Sequence, residues 1–191
     1  MNFPMHCEPR KHLITVEEYY RMAEVGLLAP DARVELIEGE IIDMVPIGSR
    51  HNRAVIHLTR LFTLAVGDLA IIQPQGPVRL GQESEPEPDI AVLRPRADEY
   101  GSAHPAAADV LLVVEVSDST LHYDQEVKLP LYARNGIPEV WIVDLHNGEL
   151  HFHRRPEAGS YLERKTTRTP GLAGLAALPG VQIDLSRLLG G

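Results

Sequence analysis

The sequence contains little cysteine and lysine, and its aromatic content is low. Among 191 residues there are one cysteine, Cys7, and three lysines, and Phe, Trp and Tyr together make up 5%. A single cysteine excludes an intramolecular disulfide and a zinc site built from several thiolates, and it is typical of a reducing compartment. Stability must therefore come from a packed core, and one domain of this length buries roughly 70% of the surface that its unfolded chain exposes.

Long apolar runs and an excess of basic residues are also missing. The longest apolar run is Val110 to Val114, whereas a helix needs roughly 20 apolar residues to cross a bilayer, and residues 1–12 contain no signal-peptide core. The 18 basic and 27 acidic side chains give a formal charge of −9, which excludes a histone-like or polybasic DNA binder. We expect a cytoplasmic protein with no membrane partner, a flexible N-terminus over residues 1–11 and a single domain over residues 12–191.

The spacing of apolar residues predicts both helices and strands. Helices are predicted over 15–28, 49–66 and 122–135, and Pro130 predicts either a kink in the third helix or a start near Val127. Hairpins are predicted over 33–45 and, after the strand 140–143, through the turn 144–148 to 155. Other strands are predicted at 69–73, 78–80, 89–93 and 109–117, a loop at 94–108, and a last strand and short helix within 181–189. This order predicts a mixed α/β sheet with helices on its faces.

Two carboxylates stand out at the predicted strands. Asp89 follows Pro88 and opens a strand, a position at which an isolated acidic residue more often serves solubility. Glu115 interrupts the apolar run 110–116, where an uncompensated charge costs several kcal/mol. By the two-residue period of a strand, Glu115 shares a face with Ser117. Oxygen ligands of this kind suit a hard divalent cation such as Mg²⁺ or Mn²⁺, so Asp89 and Glu115 are the predicted metal ligands.

The scarcity of lysine draws attention to Lys128, the one lysine in the middle of the chain. It lies on the predicted helix after Glu115, one turn from Asp124 and from Tyr132. One interpretation is a surface lysine stabilised by Asp124 at the i−4 position. The other is that Lys128 compensates Glu115 and assists a metal-bound hydroxide or a phosphate transition state.

Other patterns favour structural interpretations. His151 and His153 share one strand face, but without a third ligand nearby in the sequence we interpret residues 149–155 as a solvated strand. Trp141 is predicted to pack in the core or an interface. The acidic alternation of residues 83, 85 and 87 is predicted to be a solvated edge that discourages strand addition.

Several segments together resemble the Uma family of putative restriction endonucleases. They are Pro88-Asp89-Ile90, Val114-Glu115-Val116-Ser117, Asp124 with Lys128, Tyr132-Ala133, Gly136-Ile137, residues 139–144, residues 35–41 and His51. The likeness spans about residues 12–189.

The resemblance implies a restriction-endonuclease-like fold of the PD-(D/E)XK superfamily, with an N-terminal helix and hairpin. Asp89 and Glu115 match the two acidic positions of that pattern. Its lysine normally lies two residues after the glutamate, where this chain has Ser117, and we therefore assign the role to Lys128. The accessory residues implied for the site are Glu35, ranked above Glu38, with His51, Ser117, Asp124 and Tyr132.

We therefore expect a Mg²⁺-dependent endonuclease that hydrolyses DNA phosphodiester bonds, with Asp89, Glu115 and Lys128 as catalytic residues. Many enzymes of this fold cut as dimers, so the resemblance also implies a homodimer. The alternative is a non-catalytic module that keeps the fold and uses its acidic cleft for protein binding or dimerisation. The net negative charge favours this alternative, because phosphate attraction normally supplies most non-specific DNA affinity.

Overall fold

The computed structural model describes residues 10–189, and these form a central six-stranded sheet with elements on both faces. The strands are β3 (Ile71–Pro74), β4 (Ile90–Leu93), β5 (Val110–Ser117), β6 (Glu139–Asp144), β7 (Glu149–Glu157) and β8 (Ser160–Thr167), and they lie side by side in that order. β5 and β6 are parallel, and every other pair in the sheet is antiparallel. This arrangement confirms the predicted mixed α/β sheet.

The N-terminal part consists of helix α1 (Val16–Glu24) and the hairpin of β1 (Val34–Ile37) and β2 (Glu40–Asp43). α1 begins with a capping box, in which the Thr15 hydroxyl accepts from the backbone N–H of Glu18 and the Glu18 carboxylate accepts from that of Thr15. The predicted helix and hairpin are thus confirmed, although the helix ends four residues early. The predicted flexible segment 1–11 lies almost entirely outside the described residues.

One face of the sheet is covered by helix α2 (Ser49–Val66) and by the small hairpin of β9 (Leu172–Leu175) and β10 (Leu178–Asp184). Phe62 of α2 packs against Trp141 of β6 with ring centroids 5.5 Å apart, and neither side chain is exposed. Trp141 therefore lies in the core, as predicted. β5 is buried along its whole length, which explains its near-continuous apolar sequence.

The other face is covered by the crossover between the parallel strands β5 and β6. The crossover contains α3 (Leu121–Tyr123), a π segment (Asp124–Lys128) and α4 (Leu129–Arg134), which follow one another without a break. Pro130 has no N–H to donate to the helix. The wider π turn just before it accommodates this missing hydrogen bond. The helix therefore begins at Leu121, so a start near Val127 is wrong, and a π segment lies directly before Pro130 where the alternative prediction placed a kink.

Several elements differ from the prediction, and one of them is strand β9, which was not predicted. Residues 78–80 do not form a strand, because the backbone folds back on itself: Val78 donates to the Pro86 carbonyl, and Leu80 to that of Ser84. Strand β8 was not predicted, because its exposed, charged side chains show no apolar alternation. Residues 185–189 contain no helix.

Among residues 10–189, no helix combines the length and the apolar composition that crossing a membrane requires.

Candidate active site

A cleft of about 520 Å³ opens between the β1–β2 hairpin, the start of α2 and the ends of β4 and β5 that face the crossover helix. Its lining includes seven carboxylate side chains and only two with a permanent positive charge, Lys128 and Arg33. The structure brings together here all three predicted catalytic residues and the accessory residues Glu35, His51 and Asp124.

Asp89 lies at the mouth of β4, with its side chain 14% exposed. One carboxylate oxygen accepts the backbone N–H of Val116 at 2.8 Å, so the adjacent strand β5 fixes its orientation. The His51 Nε2 lies 3.0 Å from the same carboxylate. This hydrogen bond raises the pKa of His51, against the opposing effect of its burial.

Glu115 lies on the face of β5 that the crossover helix covers, and it is 3% exposed. Its Oε1 accepts the Tyr132 hydroxyl at 2.5 Å and lies 3.2 Å from the Lys128 Nζ. The other oxygen, Oε2, has only a long contact of 3.4 Å with the backbone N–H of Asp89. One oxygen of Glu115 is therefore well satisfied, and the other remains available on the Asp89 side.

Lys128 is buried at the end of the π segment, which excludes the interpretation as a surface lysine. Its ammonium lies between two carboxylates, 3.1 Å from Glu35 Oε2 and 3.2 Å from Glu115 Oε1. Glu35 reaches this position from β1, and the same Oε2 accepts the backbone N–H of Glu87 at 3.1 Å. The hairpin thus contributes a carboxylate to the site from the far end of the sequence.

Glu38, which we ranked below Glu35, lies outside this group. It occupies the hairpin turn with φ of 47° and pairs with Arg134 at 2.6 Å on the surface.

Ser117 and Asp124 fix the start of the crossover helix. The hydroxyls of Ser117 and Thr120 both donate to Asp124 Oδ2 at 2.7 Å. Ser117 thus lies where the resemblance leads us to expect a lysine. Its hydroxyl instead holds Asp124, the first residue of the segment that carries Lys128.

Burial dominates the electrostatics of the site. It raises the pKa of Glu115 to about 8, and the nearby Lys128 only partly opposes this effect, because its charge is shared with Glu35. Burial also works against the charge of Lys128, yet Glu115, Glu35 and Asp124 together raise the pKa of its ammonium. Lys128 is therefore held as a cation among more carboxyl groups than it can pair with, and without a bound metal Glu115 keeps its proton up to about pH 8.

This surplus of carboxyl groups over fixed cations fits a divalent cation. Mg²⁺ is usually bound by one or two carboxylates while it keeps several waters, so Asp89 and the free oxygen of Glu115 form a sufficient donor set. Oxygen ligands alone favour Mg²⁺ or Mn²⁺ over softer metals.

Glu87 is the site residue that the sequence interpretation missed. It borders the cleft, and burial followed by the nearby charge of Glu35 raises the pKa of its carboxyl. The predicted solvated edge is also wrong for Glu85, which is 3% exposed and accepts from Arg79 at 2.8 Å and from Tyr20. The acidic residues 83, 85 and 87 alternate with other residues as in a surface strand. Only the folded chain shows which side chains contact them.

The predicted solvated strand over 149–155 also needs correction. β7 lies inside the sheet, and His153 is 7% exposed, with its pKa lowered to about 4 chiefly by burial. His151 does have acidic neighbours, because ligand atoms of Asp144, Glu149 and His151 lie within 4.8 Å of one another. Glu149 also pairs with Arg168 at 2.8 Å, and both oxygens of Asp144 accept from Asn147.

Comparison with known proteins places this cleft in a family. A model of the Uma2 family, described as "Putative restriction endonuclease", matches residues 16–186. The chain belongs to the Uma2 family. The Uma2 match contains every residue of the cleft discussed above, and it confirms the resemblance deduced from the sequence.

Two individual proteins are similar to this Uma2 chain. An uncharacterized protein of Synechocystis sp., sll1609, is 28% identical over 124 residues, which are 63% of this chain and 68% of the relative. A crystal structure described as a putative nuclease belonging to DUF820, from Anabaena variabilis, superposes with a TM-score of 0.70 at 17% identity and covers 92% of this chain and 97% of the other. That structure shows the shared fold, and the family supports a nuclease role in general terms.

Proposed function

We propose that this chain is a Mg²⁺- or Mn²⁺-dependent endonuclease that hydrolyses DNA phosphodiester bonds. The observation that carries the proposal is the convergence of Asp89, Glu115 and Lys128 at one end of an acidic cleft. Asp89 and Glu115 would hold the cation. When bound, a divalent cation polarises a phosphoryl oxygen and makes a bound water more acidic.

The protein's own residues have distinct roles in this mechanism. Tyr132 fixes Glu115 by donating to Oε1, so that Oε2 faces the Asp89 side. His51 and the backbone N–H of Val116 hold the carboxylate of Asp89 in place. Both acids are thus oriented before a ligand arrives, which lowers the cost of organising the site.

Lys128 is the group best placed to stabilise negative charge. An ammonium has three donors, and Glu35 and Glu115 account for two of them. The third would donate to a phosphate oxygen, where a fixed positive charge stabilises the transition state more than the ground state. The expected motif has a lysine at the position of Ser117. In this proposal Lys128 performs the role of that lysine.

The experiment that tests this proposal is plasmid cleavage by the Asp89→Asn variant. With Mg²⁺ or Mn²⁺ present, we expect the wild type to nick supercoiled plasmid and Asp89→Asn to lose at least ~100-fold in rate, since even residues that only orient a metal ligand contribute about 10–100-fold. Asp68→Asn, an exposed change beyond the far end of α2, is the matched control. Cleavage that persists in Asp89→Asn, or in EDTA, would exclude this mechanism.

The alternative function, protein binding without catalysis, predicts a different result. Lys128 already bridges two carboxylates, so the cleft would be satisfied in part without a metal. In that case neither metal would support cleavage by the wild type. The homodimer and the cytoplasmic location remain predictions.

A further inference from the structure

A second groove, outside the acidic cleft, runs along the solvent-facing side of α2. It encloses about 1050 Å³ between α2, the β6–β7 turn and the residues after β10. Its described lining contains no Asp or Glu, but it includes Arg50, Arg53, Arg60 and Arg187. In a chain with a formal charge of −9, such a concentration of cations is unexpected on a random surface.

The arginines of α2 form a stripe. At about 100° per residue, Arg50, Arg53, His57 and Arg60 fall within roughly 80° of the helix circumference, opposite the face that Leu58 and Phe62 bury in the core. We call these four residues the basic stripe. At about 1.5 Å per residue the stripe is roughly 15 Å long.

Two of these arginines have no ionic partner within the described chain. Arg53 and Arg60 are exposed, and residues 10–189 offer neither of them a carboxylate within salt-bridge distance. Arg53 and Arg60 therefore present positive charge that no carboxylate of the described chain offsets.

The stripe adjoins the acidic cleft. Arg50 donates to Asp118, which lines the cleft, and to the carbonyl of Leu145, which lines the groove. The next residue, His51, faces the cleft and contacts Asp89. A polyanion bound in the cleft would thus be able to extend along α2 and contact the basic stripe without an interruption.

We propose that the basic stripe and Arg187 bind the phosphate backbone of duplex DNA next to the cleaved bond. This inference rests on the proposed function, because it assigns a binding surface to the same substrate. The length of the stripe matches about four base-pair steps, since phosphates recur every 3.4 Å along the axis of each strand. The stripe also offsets locally the repulsion that the net charge of the chain imposes on DNA.

A second copy of the chain fits this surface poorly. In a two-fold dimer whose axis passes through this groove, the two stripes would face each other and repel. Charge complementarity therefore favours a polyanion as the occupant.

The test compares variants for duplex binding in the non-cleaving Asp89→Asn background with Mg²⁺. Fluorescence anisotropy with a labelled 20-base-pair duplex is measured over a series of KCl concentrations. We expect Arg53→Glu/Arg60→Glu to weaken binding at least ~100-fold and to lower the slope of log affinity against log salt by about two, because each phosphate contact contributes about 0.9. Arg53→Lys/Arg60→Lys keeps the charge and should retain most of the affinity.

The matched control is Arg21→Glu/Lys165→Glu, which changes the net charge equally at exposed positions outside the groove. An equal loss of affinity in the control would mean that net charge alone matters, and it would overturn the proposal. Absence of binding by the Asp89→Asn parent, or unchanged affinity of Arg53→Glu/Arg60→Glu, would do the same. Equal binding of single-stranded RNA or phosphatidylglycerol vesicles, or a dimer that these changes dissociate, would contradict duplex DNA as the occupant.

Hydrolysis of bis(4-nitrophenyl) phosphate by the wild type tests the chemistry separately, because so small a diester does not extend along α2. Failure of this hydrolysis with intact DNA binding would contradict the proposed nuclease and leave the groove assignment standing. Hydrolysis without stripe-dependent binding would contradict only the groove assignment.

Discussion

Two glutamates are buried on neighbouring strands of the sheet, and their surroundings differ completely. Glu139 on β6 is not exposed, and it accepts from the Trp141 indole at 2.6 Å, the Arg154 guanidinium at 2.6 Å and the backbone N–H of Ala176 at 2.8 Å. Glu115 on β5 has one oxygen held by Tyr132 and Lys128, and the other has only a 3.4 Å contact.

Burial alone therefore does not identify a functional carboxylate. Both oxygens of Glu139 have short donors, including a guanidinium, so this residue ties β6 to β7 and to the turn before β10. Glu115 shares a single ammonium with Glu35 and keeps an oxygen free beside Asp89. The count of donors on each oxygen separates a structural acid from one suited to bind a ligand.

The sharpest test of this comparison is nuclease activity. We expect Glu115→Gln to lower plasmid cleavage at least ~100-fold, because the substitution removes a predicted metal ligand while it keeps the shape of the side chain. Glu139→Gln is the paired control and should cleave normally per folded molecule, with folding monitored by circular dichroism. Equal activity losses in the two variants would remove the functional distinction between them.

Removal of Lys128 should have the largest effect on stability. Lys128→Met leaves Glu35 and Glu115 buried without their shared cation, and breaking a buried pair in this way typically costs about 3–5 kcal/mol. Urea unfolding would measure the loss. The triple variant Glu35→Gln/Glu115→Gln/Lys128→Met should recover most of it, and a triple variant as unstable as Lys128→Met would show that packing of the lysine stem dominates.

Glu139→Gln should have a smaller effect on stability. The change removes the charge that pairs with Arg154, and hydrogen bonds to charged groups contribute about 1.5–3 kcal/mol. We expect a loss in that range by urea unfolding. Arg154→Met should give a similar loss, and the double variant should cost less than the sum if the two residues act as a pair. Strict additivity would contradict the structural role assigned to this pair.

The pH dependence of stability should show the most specific difference between Glu115 and Glu139. Burial raises the pKa of Glu115 from 4.5 to about 8, so between these values the folded protein holds a proton that the unfolded chain has released. The free energy of unfolding contributed by Glu115 therefore falls as the pH rises from about 4.5 to about 8. Measured in EDTA, the stability of Glu115→Gln relative to the wild type should increase over this range, and a constant difference would contradict the raised pKa.

Local patterns predicted most of the fold. Helix α2, the β1–β2 hairpin and β5 have regular apolar spacing and clear end signals, and all three form where expected. Strand β8 has no such spacing, and its place in the sheet depends on its pairing with β7. The π segment before Pro130 also depends on tertiary packing. A proline indicates that the helix is disrupted, but it does not indicate what form the disruption takes.

The candidate site was predictable in part, because local sequence patterns identified some of its residues. A charge within an apolar strand identified Glu115, and the rarity of lysine identified Lys128, but neither pattern showed that Lys128 would lie between Glu115 and Glu35. Glu87 was missed because its alternation with Glu83 and Glu85 is typical of a solvated edge. Contacts between distant segments decide these cases, and only the resemblance to the family provided such information in advance.

The sharing of Lys128 between Glu35 and Glu115 also makes the site a late product of folding. Glu35 belongs to the N-terminal hairpin, which is far in the chain from the central strand and the crossover helix that carry Glu115 and Lys128, and closing so long a loop is slow compared with forming local structure. A chain that has formed its helices but not yet docked the hairpin would have no complete ammonium–carboxylate arrangement. The proposed nuclease would thus stay inert during synthesis and become competent only when its N-terminal hairpin has docked on the central strand and the crossover helix.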